Sequence, residues 1–213
     1  LNIPIEGDTL NLLYVQFNWD QEPDAIEYNL QVSNDLFFTD IIIDDYVSTL
    51  LYIDKDNLDW DNQYFWRLRP KKQDNIYGNW IDTLSFFTNN AINDPGLVEI
   101  DIYDSNNYHN GTIMYGDFYE YVSIGYDRGG REIWNSGNQN FNVVRINNGV
   151  ELLGVSNNNG LYTFLENDFK MNEIWDNEIS GINLHDLIKL PNGNYMALQG
   201  VWQQGPIPQG SWS

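Results

Sequence analysis

Residues 185–198, HDLIKLPNGNYMAL, hold an apolar run, a Pro-Asn-Gly turn and a second apolar run. This is a hairpin pattern. Leu187, Ile188 and Leu190 form one arm, Asn192-Gly193 supplies the positive φ of a tight reversal, and Tyr195, Met196, Ala197 and Leu198 return. The same pattern stands 44 residues earlier, where FNVVRINNGVELL begins at Phe141. Val143, Val144 and Ile146 match Leu187, Ile188 and Leu190, Arg145 matches Lys189, and Phe141 matches His185. A second echo, Glu132-Ile133-Trp134 against Glu173-Ile174-Trp175, has an offset of 41. Two local repeats of nearly one period predict a repeated unit of four short strands in about 40–45 residues, the size of a β-propeller blade. Where a repeat keeps its turn and exchanges Phe for His, the exchanged position is the better candidate for function. His185 is one of only two histidines in the chain.

Composition agrees with an all-β protein. Of 213 residues, 15% are aromatic, Asn and Gly are frequent, and short strand patterns alternate with turn clusters. No apolar run is long enough to span a membrane. The absence of cysteine excludes disulfides, thiolate metal sites and cysteine nucleophiles. The net charge of -21 is spread over the chain, with 16 acids and 5 bases in residues 1–90 and 15 and 5 in the remainder. Such a surface repels nucleic acid and anionic membranes, so neither is expected as a partner. Pairs such as Asp54/Asp56 and Asp59/Asp61 lack the spacing of a calcium loop, and no metal site is expected. The chain opens at Leu1 and stops at Ser213 within a Gly, Pro, Gln and Trp stretch, which reads as a fragment of something longer.

Residues 12–88 are expected to form six strands: Tyr14–Trp19, Glu27–Ser33, Asp40–Asp44, Thr49–Ile53, Tyr64–Pro70 and Leu84–Thr88. FNWD, EYNLQVS and YFWRLRP alternate apolar and polar residues, as strands covering one core face should. Leu58, six residues before Tyr64, predicts a tyrosine corner in which the hydroxyl bonds back to upstream backbone. With Trp19, Tyr28, Leu58, Tyr64 and the closing GNWIDTLSFFT, residues 1–90 resemble a fibronectin type III domain. That resemblance implies a seven-stranded β-sandwich serving as a spacer or adhesive module, able to contact an extracellular protein or glycan. Trp60, Trp66 and Trp80 read as core and rim packing ahead of a carbohydrate platform.

Residues 91–96 form a polar linker with Pro95 and Gly96, and residues 97–213 read as an incomplete propeller of about two and a half blades. The first blade is expected at Val98–Tyr103, Thr112–Tyr115, Tyr119–Tyr126 and Arg131–Trp134. The second is expected at Phe141–Ile146, Glu151–Val155, Leu161–Glu166 and Met171–Trp175, and a third begins at Leu184. Trp134 and Trp175 are expected to pack. Their turn is similar to the tryptophan-docking motif of quinone-dependent dehydrogenases, although Met171 stands where the second copy should have glycine.

YVSIGYDRGGREIWNSG, FNVVRINNGVELL and HDLIKLPNGNYMALQG together resemble the first blades of the arylsulfate sulfotransferase family, over about residues 96–200. The resemblance implies an extracytoplasmic enzyme, secreted or periplasmic, that moves a sulfuryl group from a phenolic sulfate to a phenol acceptor through a sulfated histidine. It implies no nucleotide donor and no cofactor, and the chain has no glycine-rich phosphate loop. His185 would then be one histidine of the channel centre, and imidazole can act as donor, base or nucleophile near neutral pH. Asp186, next along the strand, points to the opposite face unless the backbone bulges. Arg145 and Lys189 are candidates to hold the anionic substrate, or to extend out at the blade edge. His109, in SNNYHNG, reads as a loop residue, and VWQQGPIPQGSW as a substrate rim or a truncated loop. The competing reading is a non-catalytic secreted propeller used for binding or adhesion.

Overall fold

The computed structural model describes residues 1–93, 98, 104, 107, 111–158, 160–177 and 182–199, with backbone alone at 182–185 and 199. The strand expected at Val98–Tyr103, His109, positions 94–96 of the linker and the 201–212 tail lie wholly or mostly outside the described residues. The protein is all-β: regular structure among the described residues is strand, apart from a 3-10 turn at Gln73–Asn75. The chain divides into two compact units, Leu1–Tyr115 with Ile124–Asn138, and Gly116–Ser123 with Gln139–Ser213.

The first unit begins with β1 (Asp8–Leu10), β2 (Gln16–Asn18), β3 (Glu27–Ser33), β4 (Ile41–Val47), β5 (Leu51–Ile53), β6 (Gln63–Lys71) and β7 (Leu84–Thr88). One sheet has the order β1-β7-β6-β3-β4, with β1 parallel to β7 and the other pairs antiparallel; β2 and β5 pair separately. Strand β6 explains the layering. Tyr64, Trp66, Leu68 and Pro70 are buried while Phe65, Arg67, Arg69 and Lys71 are not, as a period of two requires. The buried set joins Tyr28, Leu30 and Val32 of β3, Phe86 of β7, and Val15, Phe17 and Trp19 around β2 in one core. Phe17 meets Trp66 and Phe86 edge-on, at centroid distances of 5.3 and 5.8 Å.

The corner expected from Leu58 and Tyr64 is present. The buried Tyr64 hydroxyl accepts the Asp59 N–H at 2.8 Å, fixing the chain just before β6. Further along, β8 (Ile113–Asp117), β9 (Val122–Tyr126) and β10 (Glu132–Asn135) form a sheet of order β10-β9-β8. Within the first unit β10 is tied to earlier segments. Leu13 N–H donates to the Ile133 carbonyl (2.9 Å), the Trp60 indole donates to the Glu132 carbonyl (2.8 Å), and Trp134 bridges Leu12. This compact unit therefore continues past the expected 91–96 linker.

In the second unit β11 (Asn142–Asn147), β12 (Glu151–Asn158), β13 (Leu161–Asn167) and β14 (Glu173–Asn177) form an antiparallel meander in chain order. The hairpin β15 (Ile182–Lys189) and β16 (Tyr195–Gln199) follows, and β15 lies against β11, β12 and β13. Leu187 is buried there with Leu153, Val155, Phe164 and Tyr121.

The two repeated hairpins turn differently. In the first, Asn148 (φ 51°) and Gly149 (φ 72°) are both left-handed, and the Val150 N–H returns to the Asn147 carbonyl, the pattern of a type I′ turn. In the second, the turn starts one residue earlier, and its first central residue is Pro191, whose ring precludes left-handed φ there. Only Gly193 is left-handed (φ 83°), with its N–H on the Leu190 carbonyl. Lys189 consequently opposes Tyr195, whereas Arg145 opposes Leu153, whose counterpart by repeat is Ala197. The slip is two residues, an even number, so the faces are retained.

The corner before each Glu-Ile-Trp run is also repeated. Asp127 accepts the N–H groups of Gly129 and Arg131 (2.7 and 3.0 Å), and Asp168 accepts those of Lys170 and Asn172 (2.8 and 2.9 Å). Gly130 is left-handed at φ 78°, and Met171 adopts φ 62° at the same place. Met171 therefore closes the turn and β14 starts at Glu173, two residues later than the sequence predicts.

Tyr64→Phe should leave the Asp59 N–H without its acceptor in a part-buried site, at a cost of about 1–3 kcal/mol. Urea unfolding followed by aromatic fluorescence measures it. An unchanged midpoint would show that water replaces the hydroxyl.

Candidate functional site

The hairpin that carries His185 also contains Asp186 and Lys189, and the neighbouring strand β11 carries Arg145. The structure gives the backbone of His185 within β15; its side chain lies outside what is described. The pairing of β15 with β16 is irregular at that place. Ile182 opposes Gln199 and Leu187 opposes Ala197, so five steps along β15 span only two along β16. His185 and Asp186 fall inside this irregular stretch, so strict alternation does not apply to the pair.

The first copy differs here. Phe141, the counterpart of His185, is fully buried and donates its N–H to the Tyr121 carbonyl at 2.7 Å. It needs Gly154 across the sheet: a Cβ at that residue would fall 2.5 Å from the Asn142 carbonyl and against the Phe141 ring. Position 198, which corresponds to Gly154, is leucine. The slipped register of the second hairpin puts Ala197, not Leu198, opposite Leu187, the counterpart of Val143.

Both candidate cations have carboxylate partners. Arg145 Nη2 meets Asp186 Oδ1 at 2.9 Å, with both side chains a little over 40% exposed. Solvent screening makes such a pair worth about 0–1 kcal/mol, so a stronger anion can displace Asp186. Lys189 is held more firmly. Its ammonium lies 2.7 Å from Glu166 Oε1 and 3.2 Å from Glu151 Oε1, and Glu166 is fully buried. The second Glu166 oxygen accepts the Tyr195 hydroxyl, and Asn147 Nδ2 donates to Glu151 at 2.6 Å. Tyr195 lies flat on Trp175, with centroids 3.7 Å apart and planes within 6°.

This cluster ties together β12, β13, β14, β15 and β16. The hydrogen bond to Glu166 raises the Lys189 pKa, against the opposing effect of desolvation. Burial, then the bond to Glu166, pushes Tyr195 up to about 12. The bond from Asn147 leads in holding Glu151 below its ordinary value, with Lys189 assisting against desolvation. One ammonium against two carboxylates leaves the cluster with negative charge. Substrate binding by Lys189 would require an anion to compete with both, whereas Arg145 is opposed by one half-exposed aspartate.

Sequence reasoning found Arg145 and Lys189 as equivalent positions but missed Glu151, Glu166 and Tyr195 as partners. Glu166 stands where alternation leaves it on the face of Phe164, and a charged residue there was the available signal. Trp175 packs, as expected, through Tyr195. Of the tryptophans weighed as a carbohydrate platform, Trp66 is fully buried and donates to the Pro4 carbonyl, and Trp60 donates to Glu132. Trp80 lies between Arg67 and Arg69, 4.1 and 4.3 Å from their guanidinium carbons. Among the described residues no group of three or more His, Cys, Asp or Glu side chains is arranged to hold a metal ion. No family model matches the chain, and no curated protein matches it.

Lys189→Met should destabilise the second unit by about 3–5 kcal/mol, because it removes one partner of a buried ion pair and leaves Glu166 without its cation. Urea midpoints would measure this, and Glu166→Gln in the same background should recover part of the loss. A midpoint within experimental scatter of the parent would show that Lys189 does not hold Glu166 in the folded protein. A second prediction concerns acid. A glutamate depressed in the folded state contributes stability that is present above its unfolded value of about 4.3 and is lost as pH falls through the folded value. Glu151→Gln should therefore flatten the loss of stability below about pH 4, read as urea midpoint against pH.

Proposed function

We propose that this chain is part of an extracytoplasmic arylsulfate sulfotransferase-like protein, in which a fibronectin type III-like sandwich precedes a propeller. The sulfuryl group would pass from a phenolic oxygen to an imidazole nitrogen, and then to the oxygen of an acceptor phenol. The acceptor proton would be returned to the departing phenolate. No cofactor is required by that scheme.

The observation that carries the reading is the irregular pairing of β15 at His185-Asp186. The unmatched residue of the repeat falls where the strand departs from regular pairing, and bulges concentrate beside functional sites. Three further features support it. The strand order β1-β7-β6-β3-β4 with β2-β5, and the Tyr64 corner, suit a fibronectin type III sandwich. The β11–β14 meander followed by a hairpin packed on it suits successive propeller blades. Arg145, released from Asp186, supplies a guanidinium fork that matches a sulfate edge.

The alternative is a non-catalytic secreted propeller used for binding or adhesion. The neutralisation of both hairpin cations by carboxylates favours it.

The deciding experiment uses the full-length protein with 4-nitrophenyl sulfate and a phenol acceptor, following nitrophenolate release. The enzyme reading expects acceptor-dependent release that falls at least 100-fold in His185→Ala and about tenfold in Arg145→Gln, as for loss of one nucleophilic or charge-stabilising group. Residues 1–213 alone should be silent. No release from a folded full-length protein over a panel of aryl sulfates would transfer the assignment to the binding propeller.

A further inference from the structure

The outward face of β6 concentrates positive charge in a chain of net charge -21. Arg67, Arg69 and Lys71 stand at alternate positions, opposite Gln31, Asn29 and Glu27 of β3. Lys71 pairs with Glu27 at 2.7 Å. The two arginines make no ion pair among the described residues and bond to neutral amides instead. Arg67 donates through Nε and Nη2 to Gln31 Oε1 (3.0 and 2.7 Å), and Arg69 donates through Nε to Asn29 Oδ1 (3.1 Å). Asp44, opposite Gln31 on β4, accepts from Asn29 Nδ2 at 2.7 Å.

Aromatic rings separate the cations. The Arg67 guanidinium lies over Phe38 (3.8 Å) and Trp80 (4.1 Å), and that of Arg69 over Trp80 (4.3 Å) and Tyr77 (4.4 Å). Stacking of this kind immobilises the guanidinium planes and occupies their faces. Desolvation, then the neighbouring Arg69, lowers the Arg67 pKa, against a smaller opposing effect of Asp44.

Phe38 belongs to a loop built for rigidity. Asp35 accepts the N–H groups of Phe37, Thr39 and Asp40 at 2.7–2.9 Å, together with the Thr39 hydroxyl. The loop so fixed holds Phe37 83% exposed and Leu36 55% exposed at its tip. A large aromatic group held in water by an ordered loop gains nothing in the isolated unit. Rigid aromatic anchors beside preorganised arginines are the composition of binding hot spots.

We propose that the outer face of β6, with the tip of the 34–40 loop, is a docking site for an extended acidic segment of a partner protein. The segment would place carboxylates at alternate residues on Arg67 and Arg69 and an apolar side chain against Leu36 and Phe37. Three features select this occupant. The charge is complementary to the two arginines. Side chains at alternate positions of an extended peptide repeat every 6.6–6.8 Å or so, the same interval that separates Arg67 from Arg69 along β6. The ring faces a sugar would need are already covered by guanidinium groups, which disfavours a glycan. The overall negative charge of the chain does not oppose contact at physiological salt, where screening acts over about 8 Å. This site is independent of the sulfuryl-transfer reading.

The test is fluorescence polarisation of a labelled peptide, two leucines followed by four Glu-Thr repeats, titrated with the 213-residue chain at physiological salt. A matched peptide with Gln for Glu is the control. The proposal expects saturable binding of the Glu peptide, at least tenfold weaker binding of the Gln peptide, and at least tenfold losses in both Arg67→Gln/Arg69→Gln and Phe37→Ser. Phe37 is exposed, so that second variant tests the surface without disturbing the core. Equal affinity for the two peptides, no binding of the Glu peptide, or undiminished binding by folded variants would overturn it. Binding of a sulfated polysaccharide that is lost in the arginine variant, with none of the Glu peptide, would also overturn it in favour of a glycan.

Discussion

Carboxylates outnumber cations by 31 to 10 in this chain, so most of them cannot be satisfied by ion pairs. The fold resolves this by giving aspartates to backbone N–H groups at its corners. Asp35 closes the β3–β4 connection, Asp54 holds Asn57 after β5, and Asp117 receives Tyr119 after β8. Asp127 and Asp168 set the turns before β10 and β14. A charged acceptor to a backbone donor is the stronger class of hydrogen bond, and each one removes an N–H that a short strand would otherwise leave unpaired. Acidic composition is thus part of how so many short strands are joined, and the strand boundaries follow from where these carboxylates sit.

The limited supply of cations has the opposite consequence: the placement of a few of them matters. Lys189 is spent on Glu166 and Glu151, and this holds the last described hairpin to the preceding meander. Without it the buried Glu166 carboxyl would lose its only cation among the described residues. Arg145 is in a weaker, half-exposed pair. The repeat that makes Arg145 and Lys189 equivalent in sequence therefore does not make them equivalent in role, because β13 offers a buried carboxylate to one and β15 an exposed one to the other.

Much of the strand content was legible, because a period of two shows directly in residues such as Glu27–Ser33 and Leu84–Thr88, where the expected and observed limits coincide. Two of the deviations arose at left-handed residues that are not glycine. Tyr121 at φ 52° ends a turn and shortens the strand expected over Tyr119–Tyr126 to Val122–Tyr126. Met171 does the same before β14. The three-residue β1, paired in parallel with β7, carries no periodic signal of its own and was not anticipated. The site was less legible than the fold. His185 could be singled out by comparing the repeats. Which charges would face Lys189 depends on register across three strands, and the slip that Pro191 introduces into the second hairpin cannot be counted from the sequence alone.

The same reasoning separates the two groups of cations in physical terms. A cation paired with a buried carboxylate is fixed by an interaction that no soluble ligand can match without first paying for an exposed charge. A guanidinium held by amides and ring faces is equally fixed in position, yet it makes no ion pair. Arg67 and Arg69 are of the second kind, and the amides Gln31 and Asn29 opposite them could have been carboxylates, as Glu27 is opposite Lys71. In a chain so rich in acid, two neutral partners directly across from two arginines leave positive charge on this face.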